Sequence, residues 1–235
     1  MKRFIFTFLA VLIAISLLLP LSVEAATFPD VPKHYWAYYQ INFVSGVGWM
    51  NGKPDGKFHP NEPLTRGQFA LILYTFARQS FDTYAGKNET WRDFPPQFSD
   101  VDPDTKLGKA VGLLSHYKIA NGYPDDTFRP NEPITRGQMA VMLSRFYWGS
   151  EEANRRAKLQ QNEPLPFKDP IPSAQRGYIH HVYEADWMGG TSKTMFGTGQ
   201  KVTRAQAAVI LYNLVHKTTE TLYWKDGVMS SVFYQ

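Results

Sequence analysis

Cysteine is absent from all 235 residues. That excludes a disulfide framework and any thiolate metal site, so an exported form of this chain must be held together by its core. Histidine is scarce. The 6 residues, at positions 34, 59, 116, 180, 181 and 216, share no register and form no helical i, i+4 pair, so no zinc site is expected. Strong charge of either sign is also lacking: 25 basic against 21 acidic side chains give +4. An excess so small and scattered does not support a nucleic-acid partner, although it favours an anionic one. Neither a facing pair of acids nor a Ser/His arrangement can be picked out, so no catalytic residue, cofactor or enzymatic activity is assigned. The stretches PDGKF and PDDTF lack the alternating oxygen ligands and terminal glutamate of a calcium loop.

What is present is an ample apolar fraction, 43%, with 15% aromatics, enough for a packed core. Residues 1–25 read as an export signal. Lys2 and Arg3 precede a nearly continuous apolar run from Phe4 to Leu21, and Val23-Glu24-Ala25 ends in small residues suited to cleavage. The mature chain is expected to begin near Ala26, with no stable membrane span once the leader is removed.

The rest of the chain repeats with a period of about 70 residues. Copy one spans 28–77, copy two 98–147 and a divergent copy three 167–217, with a tail at 218–235. The copies open with Phe28-Pro29-Asp30, Phe98-Ser99-Asp100 and Phe167-Lys168-Asp169. A helical pattern follows in each and stops before Asn51-Gly52, Asn121-Gly122 or Gly189-Gly190, where glycine suits a left-handed helix end. The recurring aspartates are expected to accept backbone amides at the start of that first helix. The next loop reads KPDGKFHPNEP, then YPDDTFRPNEP, then the divergent TSKTMFGTGQK. Phe58, Phe128 and Phe196 within it are read as core plugs.

A second helix then begins at Leu64-Thr65-Arg66-Gly67-Gln68, Ile134-Thr135-Arg136-Gly137-Gln138 and Val202-Thr203-Arg204-Ala205-Gln206. Threonine as N-cap with glutamine at N3 predicts a capping box in every copy, and Leu64 with Phe69, Ile134 with Met139 and Val202 with Ala207 predict hydrophobic staples. Only the arginine is left without a local reason. A cation at N1 sits at the positive helix end, at a cost of roughly 0.3–1 kcal/mol. Expected to point outward, Arg66, Arg136 and Arg204 either pair with a carboxylate such as Glu62 or Glu132 or, with free helix-start amides, hold an anion. Gly67 and Gly137 at N2 would let a ligand approach the backbone closely. Trp36 and Tyr123 are the aromatic candidates for ligand contact, with core or interface packing as the alternative.

These segments resemble S-layer homology domains: Phe-x-Asp, His-x-Trp-Ala (His34 to Ala37), Asn-Gly-Tyr-Pro-Asp and Thr-Arg-Gly-Gln. The resemblance implies a mainly α fold, with three repeats in a pseudo-threefold prism around a central three-helix bundle. It also implies non-covalent anchoring to the cell wall or S-layer. The ligand would be an anionic, pyruvylated secondary wall polysaccharide or a peptidoglycan-linked polymer, with the arginine of the family's Thr-Arg-Ala-Glu motif holding a carboxylate. That motif maps onto Thr65 to Gln68, Thr135 to Gln138 and Thr203 to Gln206, with glutamine in place of glutamate throughout. On this reading Arg66 and Arg136 are the better clamps, Arg204 belongs to a degenerate groove, and Arg66→Ala keeps the fold. The segment at 148–166 is charged and expected to be partly helical. A secreted scaffold whose tail recruits another surface protein is the second reading, and a wall-glycan enzyme the third.

Overall fold

The computed structural model describes residues 28–84 and 93–223. The expected leader and the tail beyond Tyr223 lie outside them. Among the described residues seven helices follow in order: α1 (Tyr38–Gly46), α2 (Arg66–Tyr84), α3 (Lys106–His116), α4 (Arg136–Trp148), α5 (Ser150–Gln160), α6 (Ser173–Glu184) and α7 (Arg204–Tyr223). There too, β structure is confined to isolated bridges such as Pro63 with Thr203 and Thr65 with Pro133. The protein is mainly α, with two helices in each copy and α5 added between the second and third. No described helix is long and apolar enough to cross a membrane.

Each first helix ends in the same local motif. The Trp49 amide donates to the Val44 carbonyl at 2.9 Å and the Gly48 amide to Ser45 at 3.0 Å; Ile119 with Leu114, Lys118 with Ser115, Trp187 with Val182 and Asp186 with Tyr183 repeat the pattern. The left-handed residue is therefore Gly48, Lys118 or Asp186, at φ of 75°, 55° and 55°. The expected stop at Gly52, Gly122 and Gly190 is corrected. A side chain at those glycines would run into the opening Phe28, Phe98 and Phe167 rings. These rings in turn lie 5.3, 5.6 and 5.4 Å from Phe58, Phe128 and Phe196, which are fully buried as expected of core plugs.

The second helices start as their sequence predicts. Thr65, Thr135 and Thr203 accept the N3 amide at 3.1, 3.3 and 3.3 Å, and their own amides donate to the Gln68, Gln138 and Gln206 side chains at 3.1, 3.1 and 3.0 Å. The staple residues, alanine included, are fully buried.

What joins the copies is a closed ring of backbone hydrogen bonds. Leu64 donates to Val202 at 2.8 Å, Val202 to Ile134 at 3.0 Å and Ile134 back to Leu64 at 2.9 Å. The helices follow the same cyclic order: α2 packs on α3, α4 on α6, and α7 on α1. Each second helix thus lies against the first helix of the following copy. Phe76 and Phe146, 5.7 Å apart, bring α2 and α4 into contact through bulky rings. α5 packs on α4 and α6, and Gly177 on α6 lies against the Ala157 carbonyl so closely that a side chain could not enter.

His181 on α6 is 7% exposed, and among the described residues neither of its ring nitrogens has a hydrogen-bond partner. Burial pushes it down to about 4; Arg156 and His180 act in the same direction and Glu152 against it. The unfolded chain, with an ordinary histidine near 6.5, takes up this proton first as pH falls. The stabilisation is therefore complete above about pH 6.5, and up to about 3 kcal/mol of it is lost toward pH 4. Urea unfolding across that range is expected to show this loss in the native chain and a flatter profile in His181→Gln. Equal slopes would rule His181 out as the cause.

Candidate functional site

The three arginines do not point outward. Arg66, Arg136 and Arg204 are 5%, 5% and 6% exposed, and each crosses to the next copy. Arg66 donates from Nε to the Phe128 carbonyl at 3.0 Å and from Nη2 to Asn121 at 3.3 Å. Arg136 donates from Nε to Phe196 at 2.8 Å and from Nη2 to the Gly189 carbonyl. Arg204 reaches Phe58 and Asn51, both at 2.7 Å, closing copy three onto copy one. The guanidinium carbons stand 4.7, 4.8 and 4.5 Å from the Phe128, Phe196 and Phe58 ring centres, adding cation–π attraction. These contacts offset the unfavourable end of the helix dipole. Burial lowers all three arginine pKa values; Tyr123 and Glu132 oppose it for Arg66, Asp169 for Arg136, and Glu62 and Asp30 for Arg204.

The helix-start amides are engaged as well, so the expected free amides are not there. Arg66, Arg136 and Arg204 donate their N–H groups to the carbonyls of Glu132, Gln200 and Glu62, each at 2.9 Å. Gly67, Gly137 and Ala205 donate to Pro130, Thr198 and Pro60 at 2.8, 2.9 and 2.9 Å. Glutamates 62 and 132 therefore meet the arginines through backbone, not as ion pairs. A Cβ on Gly67 would lie 2.9 Å from the Pro130 carbonyl, and one on Gly137 would lie 2.6 Å from the Thr198 methyl. The space that these glycines leave is taken up by the Pro130 loop at Gly67 and by the Gln175 side chain of α6 with the Thr198 methyl at Gly137.

Each groove consequently combines the helix start of one copy with the loop of the next. The divergent loop of copy three receives Arg136, whereas Arg204 enters the intact loop of copy one. A ranking of grooves by copy pairs each arginine with its own loop, and the ring order shifts that pairing by one.

Loop geometry is set by the recurring aspartates. Asp30 accepts the Phe58 and His59 amides at 2.9 and 2.7 Å, Asp100 those of Phe128 and Arg129 at 2.7 Å each, and Asp169 those of Phe196 and Gly197 at 2.8 and 2.9 Å. Their role is structural, but the amides belong to the loop and not to the first helix. Burial alone would raise Asp30 and Asp169; the amide bonds outweigh it and hold both below the ordinary carboxylate value.

Trp36 is 60% exposed, with its ring 5.9 Å from that of Tyr35. Near them a cleft of about 260 Å³ is lined by Asp30, Tyr35, His59, Pro60, Asn61 and Glu62, the last four on the loop that receives Arg204. Tyr123 is half-buried, with the Arg129 guanidinium 4.0 Å and the Arg66 guanidinium 5.1 Å from its ring centre, and its hydroxyl accepts from Gln138 at 3.0 Å. His59 and Arg129 escape a reading of the sequence alone. The signal that could have found them is their shared position one residue after the core phenylalanine, flanked in both loops by acids. No group of three or more metal-ligating side chains gathers among the described residues.

Comparison with known proteins finds the S-layer homology domain family matching at 27–70, 97–140 and 166–208, more than half of the chain. The cellulosome-anchoring protein of Acetivibrio thermocellus is 32% identical over 171 residues, covering 71% of this chain and 35% of that protein. An S-layer protein of Bacillus licheniformis is 27% identical, covering 57% of this chain and 17% of its own. An amylopullulanase of Thermoanaerobacterium thermosulfurigenes is 26% identical, covering 82% and 10%. The chain spans about a third or less of the length of these relatives. Three family matches in register with three copies closed into one ring of helix starts and loops identify a cell-surface protein that belongs to the S-layer homology domain family.

Proposed function

We propose that this chain anchors non-covalently to the cell envelope by binding an anionic, pyruvate-bearing wall polysaccharide in the grooves between copies. The observation that supports this reading is the repeated crossing of Arg66, Arg136 and Arg204 into the following loop, one cation at each boundary between copies. The loop carbonyls occupy Nε and Nη2, and the Nη1 corner is the part assigned to a ligand carboxylate. The groove that combines Arg204 with the copy-one loop is the best equipped, because Tyr35 lines its cleft with the Trp36 ring against it, and sugar C–H faces pack on such rings. Tyr123 would serve the Arg66 groove in the same way. Residues 1–25 would direct export. One relative is named as an anchoring protein, which favours recruitment of a second surface protein as an additional role.

The test is cosedimentation with purified walls before and after mild acid treatment that removes ketal-linked groups. Binding is expected to disappear after treatment. Binding that survives would move the site to peptidoglycan or another anion, and binding to neither would leave partner recruitment as the leading function. Trp36→Ala, at an exposed position, is expected to leave stability intact and weaken wall binding by about 1 kcal/mol, roughly fivefold. Unchanged affinity would remove Trp36 from the site.

A further inference from the structure

Two positions of each copy recur at the boundary with the second helix of the copy before, one in the loop and one at the start of the first helix. The N2 amide of the second helix marks the loop position: Gly67 donates to Pro130, Gly137 to Thr198 and Ala205 to Pro60. The helix position lies four residues before the buried Val111, Ile179 and Ile41, and holds Leu107, Gln175 and Ala37. Around Arg66 and Arg204 both positions are therefore apolar, Leu107 with Pro130 and Ala37 with Pro60. Around Arg136 both are polar. Thr198 is 8% exposed, and the amide oxygen of Gln175 is buried. A side chain on Gly137 would run into that oxygen and into the Thr198 methyl, so the two polar residues meet at one helix start. Among the described residues neither Gln175 Oε1 nor Thr198 Oγ1 has a hydrogen-bond partner. Leaving a buried polar atom unpaired is costly, and the other two boundaries show that the fold closes without either one.

Charge sets the same boundary apart. The copy-one loop carries Asp55 and Glu62 and the copy-two loop Asp125, Asp126 and Glu132, whereas TSKTMFGTGQK holds no acid and two lysines, Lys193 and Lys201. The carboxylate that acts on Arg136 is Asp169, which already accepts the Phe196 and Gly197 amides. A guanidinium only donates and calls for an anion or another acceptor, an amide oxygen only accepts and calls for a donor, and a hydroxyl does either. A bare carboxylate answers the first need and not the second. A sugar that carries a carboxylate beside free hydroxyls answers all three.

We propose that Gln175 and Thr198 make the Arg136 boundary the specificity-determining subsite of this chain, one that takes a sugar-borne carboxylate with a neighbouring hydroxyl donating to the Gln175 amide oxygen. The divergence of the copy-three loop is then a change of specificity. The aromatic support for a sugar face stays with the Arg204 groove, and the polar reading of the ligand is made here. This deepens the wall-binding reading and rests on it for the identity of the polymer.

The test compares binding to purified walls for the native chain, Gln175→Leu, which copies Leu107, Thr198→Val and the double variant, with urea unfolding of each in the absence of wall material. Loss of one neutral hydrogen bond corresponds to roughly a two- to tenfold weaker affinity, expected for each single variant and exceeded in the double one. The urea midpoint is expected to stay equal or to rise, since each change removes an unpaired buried polar atom. Unchanged affinity in the double variant would assign the pair to bound water and overturn the subsite. A native chain that binds no wall overturns the anchoring reading instead. In that case, or if a variant unfolds more easily, the native chain alone decides, through amide shifts of Gly67, Gly137 and Ala205 during titration with glucuronate and with acetate. These three amides occupy equivalent places, one at each boundary. Glucuronate moving Gly137 more than the other two, with acetate failing to do so, supports the subsite. Equal movement of all three, or the same response to acetate, overturns it.

Discussion

Arg204→Ala is expected to lower the unfolding free energy by about 4 kcal/mol, read from urea unfolding followed by helical circular dichroism. The side chain is 6% exposed and satisfies the carbonyls of Phe58 and Asn51. Hydrogen bonds to a charged group contribute roughly 1.5–3 kcal/mol each, and both carbonyls would lose their partner. Arg204→Lys is expected to recover little of this, because a single ammonium cannot reproduce the fork that spans two carbonyls. The boundary it closes joins residues 146 and 153 apart in sequence, against 55 and 62 for the closure made by Arg66. By loop-closure entropy that costs about 0.8 kcal/mol more, so this is where the ring should open first. An unfolding midpoint equal to that of the native chain would sink the clasp. The expectation that Arg66→Ala spares the fold assumes an outward side chain; with Arg66 buried on Phe128 and bonded to two carbonyls, the same large loss is expected there. Lost wall binding in either alanine variant is therefore no measure of ligand contact unless folding is shown to persist.

Phe58→Ala is expected to cost about 4 kcal/mol, within the range for removing a buried phenylalanine. Its ring is fully buried, packs 5.3 Å from Phe28 and underlies the Arg204 guanidinium at 4.5 Å. Its amide is held by Asp30 and its carbonyl by Arg204, bonds that alanine could also make, so the loss measures ring packing. Phe58→Leu should restore part of the volume and cost about 1–2 kcal/mol. Because Phe58 and Arg204 touch, the double variant Phe58→Ala/Arg204→Ala should lose less than the two single losses combined. Strict additivity in a thermal or urea cycle would show that the two act independently.

Motifs confined to a few neighbouring residues are legible in the sequence. The three capping boxes, the staples and the buried phenylalanines at 58, 128 and 196 depend on N-cap chemistry, helical spacing and apolarity, all of which act within one turn or one loop. The helix stop is another matter: in copy one it falls at Gly48 and not at Gly52, because a left-handed residue need not be the most conspicuous glycine, and Lys118 and Asp186 fill that place in the other copies. Glycine further on serves close packing against Phe28, Phe98 and Phe167 instead. Nor can the partner of Asp30 be read from its neighbours, since the amides it holds lie 28 and 29 residues away.

By itself, then, the sequence determined three copies, two helices in each, their caps, their core plugs and their family. The tertiary structure alone decided that each arginine belongs to the loop of the following copy, that the helix-start amides are already satisfied, and that His59 stands where Arg129 stands one copy later. The reason is one of range. Propensity and capping act along the chain and leave a record in local spacing, whereas the closure of copy three onto copy one joins groups 146 and 153 residues apart, through backbone carbonyls that any residue type could supply.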